Sequence, residues 1–313
     1  MTPTVPDDRG RNAPAWAERS ERGSPRLIRL MAWLSLRAGR ASVRTLVYLI
    51  AAYFLATSAA ARIASRAFLS RALGRRPNLA ECYRHFLSFA STIHDRMFFA
   101  SGDFAPFDIR VHGTAVLDSL PEGTGAFLMG GHLGSFDAIR ACGRIRTLRP
   151  VYMAMYEAHA RKLNAVLGAI NPRAIEGIVP LGRVESMLKL RELLDAGSMV
   201  GILADRTPGR EPVLSVPFFG EPASFPTGPM RLAAILRCPV IFMVGLYAGA
   251  NRYDIHFEAL ADFSRTVDVP RAERDRLVAD AVTRYAGRME HYARLHPDNW
   301  FNFHDFWSAL PAP

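Results

Sequence analysis

From residue 106 to residue 258, short apolar runs of strand character alternate with stretches of helical periodicity, and this alternation leaves few architectures open. Phe107–Val111, Ala126–Met129, Val151–Met155, Ile178–Leu181, Met199–Leu203, Val213–Phe219, Val240–Leu246 and Tyr253–Glu258 read as strands. Ser135–Arg144, Glu157–Leu167, Val184–Leu194 and Gly228–Leu236 read as helices between them, and residues 270–294 as a longer charged helix that Pro297 stops. Strands separated by helices imply crossovers that pack against the faces of a parallel sheet. Val213–Phe219 and the stretch 240–258 look antiparallel. The expected fold is therefore α/β, a mixed, mostly parallel central sheet flanked by helices, preceded by N-terminal apolar helices.

The N-terminal quarter differs in charge and apolarity. Residues 1–76 hold fourteen Arg, no Lys and four acids, while the remaining residues hold 25 bases and 25 acids. The whole net charge of +10 thus belongs to this segment. A nucleic-acid binder would carry basic residues across its folded body, so nucleic acid is not the expected partner. Leu27, Leu30, Met31, Leu34 and Leu36 give an apolar helical face among Arg26, Arg29, Arg37 and Arg40. Thr45–Ala61 is an uncharged run of 17 residues bracketed by Arg44 and Arg62, just short of the ~20 that span a bilayer. It reads as an interfacial helix, a buried core helix or, last, a span. Under either membrane reading its arginines meet an anionic membrane surface. The expected organisation is a flexible segment over 1–25, a helical membrane-associating region over 26–100 and a catalytic α/β domain over 101–313. No cleavable signal peptide is evident. The three cysteines, Cys82, Cys142 and Cys238, form no disulfide or zinc pattern and suit a reducing compartment.

The chemistry-bearing stretch is Phe127–Asp137, FLMGGHLGSFD. An apolar strand ends in Gly130 and Gly131, which let backbone approach a ligand closely. His132 follows at the C-terminal edge of the strand, where open α/β sheets place their sites. Asp137 comes four intervening residues later, in the first turn of the next helix, placed to fix the tautomer of the imidazole. Ser135 lacks the second glycine of a nucleophile elbow. His132 therefore reads as a general base acting directly on a hydroxyl or amine, with backbone N–H groups at the helix start available to an oxyanion. From spacing alone, a histidine that caps the helix or bonds a carbonyl is the more ordinary reading. No third ligand for a metal is suggested, and none is expected.

The GGHLGSFD segment resembles the H-x4-D/E motif of the lysophospholipid acyltransferase superfamily, in particular its branch of bacterial lipid A lauroyl and myristoyl transferases. More narrowly, the chain resembles acyltransferases of that superfamily in bacterial glycolipid and polyene-lipid pathways. The likeness runs in order along the chain. It continues through Trp16–Gly23, Gly201–Arg206, Val216–Gly220, Phe225–Pro229 and the aromatic block Asn299–Phe303 with Phe306 and Trp307. It implies transfer of a fatty acyl group from an acyl carrier protein or coenzyme A thioester to a hydroxyl or amine of a lipid or glycolipid. No cofactor beyond the donor is implied, and the place is the cytoplasmic face of a bacterial inner membrane. His132 would be the base and Asp137 its orienting partner. Gly131, Arg183, Asp205 and Arg206 would bind substrate, with Asp205 at the sheet edge near the acceptor or the catalytic histidine unless it caps a turn, and Arg206 either pairing with Asp205 or holding phosphate. Phe225–Gly228 lacks the acid of the F-P-E-G-T motif found in the glycerophosphate branch, which argues against simple glycerophospholipid acylation. An acyl hydrolase using the same pair on water and a non-catalytic lipid-binding protein stay open as alternatives. Tyr156, Glu157 and His159 read as a pocket wall or a solvated helix start. The closing aromatic block reads as the cover of an acyl tunnel or as packing.

Overall fold

The computed structural model describes residues 25–145, 149–156, 168, 171, 177–182, 184–206, 211–266 and 269–307. Residues 1–24 of the expected flexible segment, Trp16–Gly23 among them, and the helix expected over Glu157–Leu167 lie outside the described residues. One seven-stranded sheet runs in the order β1 (Asp108–His112), β9 (Arg252–Asp262), β8 (Pro239–Tyr247), β2 (Ala126–Gly130), β5 (Met199–Leu203), β3 (Val151–Tyr156), β4 (Ile178–Leu181). The five strands from β8 to β4 are parallel. β9 returns antiparallel to β8, and β1 runs parallel to β9. β6 (Val213–Phe218) and β7 (Glu221–Pro226) form a separate antiparallel hairpin. The architecture is the mixed, mostly parallel α/β sheet that the alternation of apolar runs implied.

β2 is buried at all five positions, as a strand covered on both faces must be. Leu128 packs with Ile139 and Cys142 of α6 (Phe136–Ile145), next to Leu117 of the short α5 (Ala115–Asp118). Phe127 and Met129 point to the other face, into the core formed with α7 (Val184–Asp195), α8 (Gly228–Leu236) and α9 (Arg271–Leu295). α9 is polar overall but buries Val278, Ala281, Val282, Tyr285, Ala286, Met289, Tyr292 and Ala293. Their spacing of three and four residues draws one apolar stripe along the helix.

The N-terminal helices are α1 (Pro25–Ala38), α2 (Arg40–Thr57), α3 (Ala59–Leu73) and α4 (Leu79–Ser101). The uncharged run does not form one rod. α2 ends at Thr57, α3 begins at Ala59, and the two are bent by 95°. Among the described residues no single helix is long and apolar enough to cross a membrane, while this bent pair passes by length and composition together. The bend has a chemical anchor: Arg62 Nη1 donates to the carbonyls of Leu55 (2.5 Å) and Ala56 (2.9 Å), which the end of α2 leaves without helical partners. Val43, Val47, Ala51 and Leu55 form the buried stripe of α2, and Ala51, Leu55, Phe68 and Phe86 join the same core as Phe127. A buried carboxylate reinforces this docking. Asp95 of α4 accepts from Arg40 Nε (2.7 Å) and Nη2 (3.0 Å) and from the Tyr253 hydroxyl of β9 (2.8 Å), with Arg44 Nη1 at 3.5 Å.

Two histidines of α4 are buried in this packing. His85 bonds the Ser65 hydroxyl through Nδ1 and the Trp300 carbonyl through Nε2, both at 2.8 Å, and His94 Nε2 lies 3.1 Å from the Ser35 hydroxyl. Burial pulls His85 down to about 4 despite the bond to the Trp300 carbonyl, and it lowers His94 likewise. The unfolded chain then binds more protons than the folded one between roughly pH 6.5 and 4, so stability falls as the pH drops through that window. For His85 alone the loss is on the order of 3 kcal/mol at pH 4. Urea midpoints measured from pH 7 down to pH 4 are expected to fall steadily, and a flat profile would contradict the neutral, buried histidines.

Candidate active site

The parallel register of β2 and β5 brings the site together. Ala126 pairs with Met199 and Gly130 with Leu203, and the Ala204 N–H extends the ladder to the Gly130 carbonyl at 2.8 Å. Two residues beyond the strand ends, the same register sets His132 beside Asp205. His132 Nδ1 lies 2.8 Å from Asp205 Oδ1, and the His132 backbone N–H donates to Oδ2 at 3.0 Å. A third donor, the indole Nε1–H of Trp300, reaches Oδ2 at 3.3 Å. Burial of Asp205 opposes its ionisation, but His132, the neighbouring Arg206 and the hydrogen bonds outweigh it and hold the carboxyl well below the usual range. An ionised carboxylate only accepts, so Nδ1 carries the hydrogen and Nε2 is the basic nitrogen. The His132 side chain is 36 % exposed and Asp205 only 1 %, so the imidazole reaches solvent and its partner lies beneath it.

The two acids thus divide differently from the sequence expectation. The carboxylate on the imidazole is Asp205, and Asp137, in the first turn of α6, accepts from Arg96 Nε of α4 at 2.6 Å. Four residues of helix approach set Asp137 near His132 in the chain, but strand pairing sets Asp205 against the ring. Gly131 earns its glycine by closeness: a Cβ there would press into the Met289 side chain and lie 3.2 Å from the Asp205 carboxyl carbon. Arg206 turns Nη2 to the Phe301 carbonyl at 2.8 Å, and burial lowers its pKa against the pull of Asp205. Arg183, Glu157 and His159 lie outside the described residues. The helix-start N–H groups expected to face an oxyanion are partly engaged. Gly134 N–H donates to the Asn299 carbonyl (2.8 Å), Ser135 N–H to the Gly245 carbonyl (2.7 Å) and Ala138 N–H to Ser135 Oγ (3.2 Å). Among the described residues no group of three His, Cys, Asp or Glu side chains is arranged to hold a metal.

The C-terminal aromatic block is the second support of the site. Leu133 bridges Trp300, and the Phe301 N–H donates to the His132 carbonyl at 2.8 Å. Asn299, wholly buried, locks onto β8 by accepting the Tyr247 N–H (2.7 Å) and donating to its carbonyl (3.1 Å). The Tyr285 hydroxyl of α9 donates to the Gly130 carbonyl at 2.7 Å. The profile of the bacterial lipid A biosynthesis acyltransferase family matches residues 96–309, a span that holds this whole constellation and more than half of the chain. The chain belongs to that family. It is an acyltransferase, and the family acts in lipid A biosynthesis, which means acyl transfer to a lipid acceptor. No curated protein matches the chain.

Within this acyltransferase, Arg96, Tyr285 and the indole N–H of Trp300 are the site components that sequence reasoning passed over. Asn299 and Trp300 were visible only as part of an aromatic block, and nothing near Arg96 in the chain pairs it with Asp137. The loop that carries His132 has its own steric requirement. Gly134 has φ +73°, and a Cβ on it would run into the Gly245 carbonyl oxygen. Gly134→Ala adds a left-handed conformation to a backbone collision, so it is expected to lower stability by about 2 kcal/mol or more. Chemical denaturation checks this, and a wild-type midpoint would reject the close approach of the two segments.

Proposed function

We propose that this acyltransferase moves a fatty acyl group from a thioester, on acyl carrier protein or coenzyme A, to a hydroxyl or amine of a lipid or glycolipid, with His132 as general base and Asp205 as its orienting carboxylate. The observation that carries the reading is the double grip of Asp205 on His132, at Nδ1 and at the backbone N–H. In the proposed step the acceptor O–H or N–H gives its proton to Nε2 while its oxygen or nitrogen attacks the thioester carbonyl carbon. The carbonyl becomes an oxyanion, then re-forms as the C–S bond breaks and the thiolate leaves. The imidazolium returns its proton to sulfur, so the products are an ester or amide and a free thiol. Asp205 stays ionised and stabilises the imidazolium. Arg206, beside Asp205, supplies positive charge to the oxyanion or to donor phosphate. Asp137 with Arg96 fixes the start of α6 against α4. No covalent acyl-enzyme is required, since the base acts on the acceptor itself.

The same proposal places the protein on the cytoplasmic face of the inner membrane, bound through its N-terminal helices. Eleven of the fourteen large hydrophobic side chains that stand exposed among the described residues lie on α1 to α4. Trp33, Leu49, Tyr53 and Ile63 are the most open of these on α1 to α3. Such a surface favours an interfacial position with the apolar side chains in the headgroup boundary.

His132→Ala and Asp205→Asn are each expected to cut transfer by roughly 10²–10⁴-fold while the fold survives. Asp137→Asn should cost less than Asp205→Asn. Thiol release from lauroyl-coenzyme A and lipid mass spectrometry of a host producing each variant measure this. Full turnover in His132→Ala would sink the mechanism, and a larger loss in Asp137→Asn than in Asp205→Asn would reverse the assignment of the acids. For the membrane, the pair Leu49→Glu and Tyr53→Glu is preferable to deleting α2, whose other face is core. Cosedimentation with phosphatidylglycerol vesicles should drop at least about tenfold, since two buried apolar contacts become charges. Unchanged binding would reject this surface as the contact.

A further inference from the structure

Trp300 is 1 % exposed and stands at the centre of a ring cluster, with edge contacts to Phe68 (4.8 Å), Phe218 (5.3 Å) and Phe306 (5.0 Å). Its backbone is fixed as firmly as its ring. The carbonyl accepts from His85 Nε2, the residue bridges Leu133, and the next N–H is tied to His132. An indole has one polar atom, a donor, and burying it without a partner is costly. Here the partner is Oδ2 of Asp205. The other polar groups around the pair turn elsewhere: Arg206 donates to the Phe301 carbonyl and Tyr285 to the Gly130 carbonyl. Oδ2 thus takes two donors of fixed position, the indole and the His132 backbone N–H, and the plane of the carboxylate is set so that Oδ1 meets Nδ1.

We propose that Trp300 is a positioning residue of the acyl transfer: its indole N–H, held by the aromatic cluster and by His85, aims the Asp205 carboxylate at His132 Nδ1. This rests on His132 and Asp205 being the reacting pair and is independent of the identity of donor and acceptor. His85 and Ser65 belong to the same chain of support, two steps from the reacting atoms, through the Trp300 carbonyl.

The test reads the imidazole itself. In the full-length protein with isotope-labelled histidine, the His132 signal is assigned by its loss in His132→Gln and titrated by NMR. Trp300→Phe removes one of the two donors that fix Oδ2, so the carboxylate is free to turn, Oδ1 no longer meets Nδ1–H squarely and the imidazolium loses support. The His132 midpoint is expected to fall by about half a pH unit. With lauroyl-coenzyme A as probe, kcat should fall roughly tenfold at unchanged KM. Replacing Trp300 by 3-benzothienylalanine keeps the bicyclic shape and drops only the donor, and it guards against a variant that fails to fold. It should move the His132 midpoint in the same direction. A midpoint unchanged by that replacement overturns the proposal, because a purely structural tryptophan would leave the imidazole as it was. The acyl-transfer reading fails by a separate observation, full turnover in His132→Ala, so the two failures are distinguishable.

Discussion

The pairing of β2 with β5 is the constraint on which the site depends. These strands are neighbours in the sheet but seventy-three residues apart in the chain, with α6, β3, β4 and α7 between them. Parallel strands in fixed register carry that register past their ends for a residue or two, as the Ala204 to Gly130 bond shows. His132 and Asp205 exploit that overhang. A slip by one residue would send every β2 side chain to the opposite face and separate the pair, and full burial of β2 makes such a slip costly. The geometry of the His132–Asp205 pair is therefore protected by the same packing that holds the sheet together.

Two buried carboxylates organise the rest, and they differ in what surrounds them. Asp95 is gripped by Arg40 and Tyr253, fixed groups that tie α2 and α4 to β9. Taking away one partner of such a cluster leaves an uncompensated charge and typically costs about 3–5 kcal/mol. Asp205 receives its donors from a titratable ring, an indole and a backbone N–H, and its most exposed partner is the ring. The first arrangement fixes the helices in place. Under the proposed function, the second would let a proton be taken up and released at the far nitrogen without moving the carboxylate.

What could be read from the sequence followed what is local. Strands announce themselves by short apolar runs, and His132 by glycines at a strand end, so both were legible. The helix break at Ser58 was not. Nothing in TLVYLIAAYFLATSAAA stops a helix, and the bend depends on Arg62 reaching back to the carbonyls of Leu55 and Ala56. The contact of His132 with Asp205 is hidden from spacing for the same physical reason. Asp137 is near in the chain, whereas Asp205 becomes near only after β2 and β5 pair. Arg96 and the indole of Trp300 are further cases of long-range contact, each made by elements that meet only in the folded state.

The arginines of the N-terminal quarter acquire a different meaning once their partners are known. Arg40 and Arg44 face Asp95, Arg62 caps α2, Arg71 pairs with Glu221 and Arg75 with Glu81. Charge that is paired with acids or carbonyls of the fold attracts a membrane less, so under the proposed function the apolar side chains carry more of the binding than the net charge of +10 suggests. Their position favours the chemistry. Phe89 of α4 is partly exposed and packs on Phe301 and Phe303, and Phe301 is the residue whose N–H holds the His132 carbonyl. Under the proposed function, this partly exposed Phe89 ring would let a lipid acceptor keep its chains at the bilayer surface while its hydroxyl or amine reaches Nε2. On that proposal the cost of extracting a lipid into water would be avoided, and the binding energy of its chains would serve orientation at the reacting atoms.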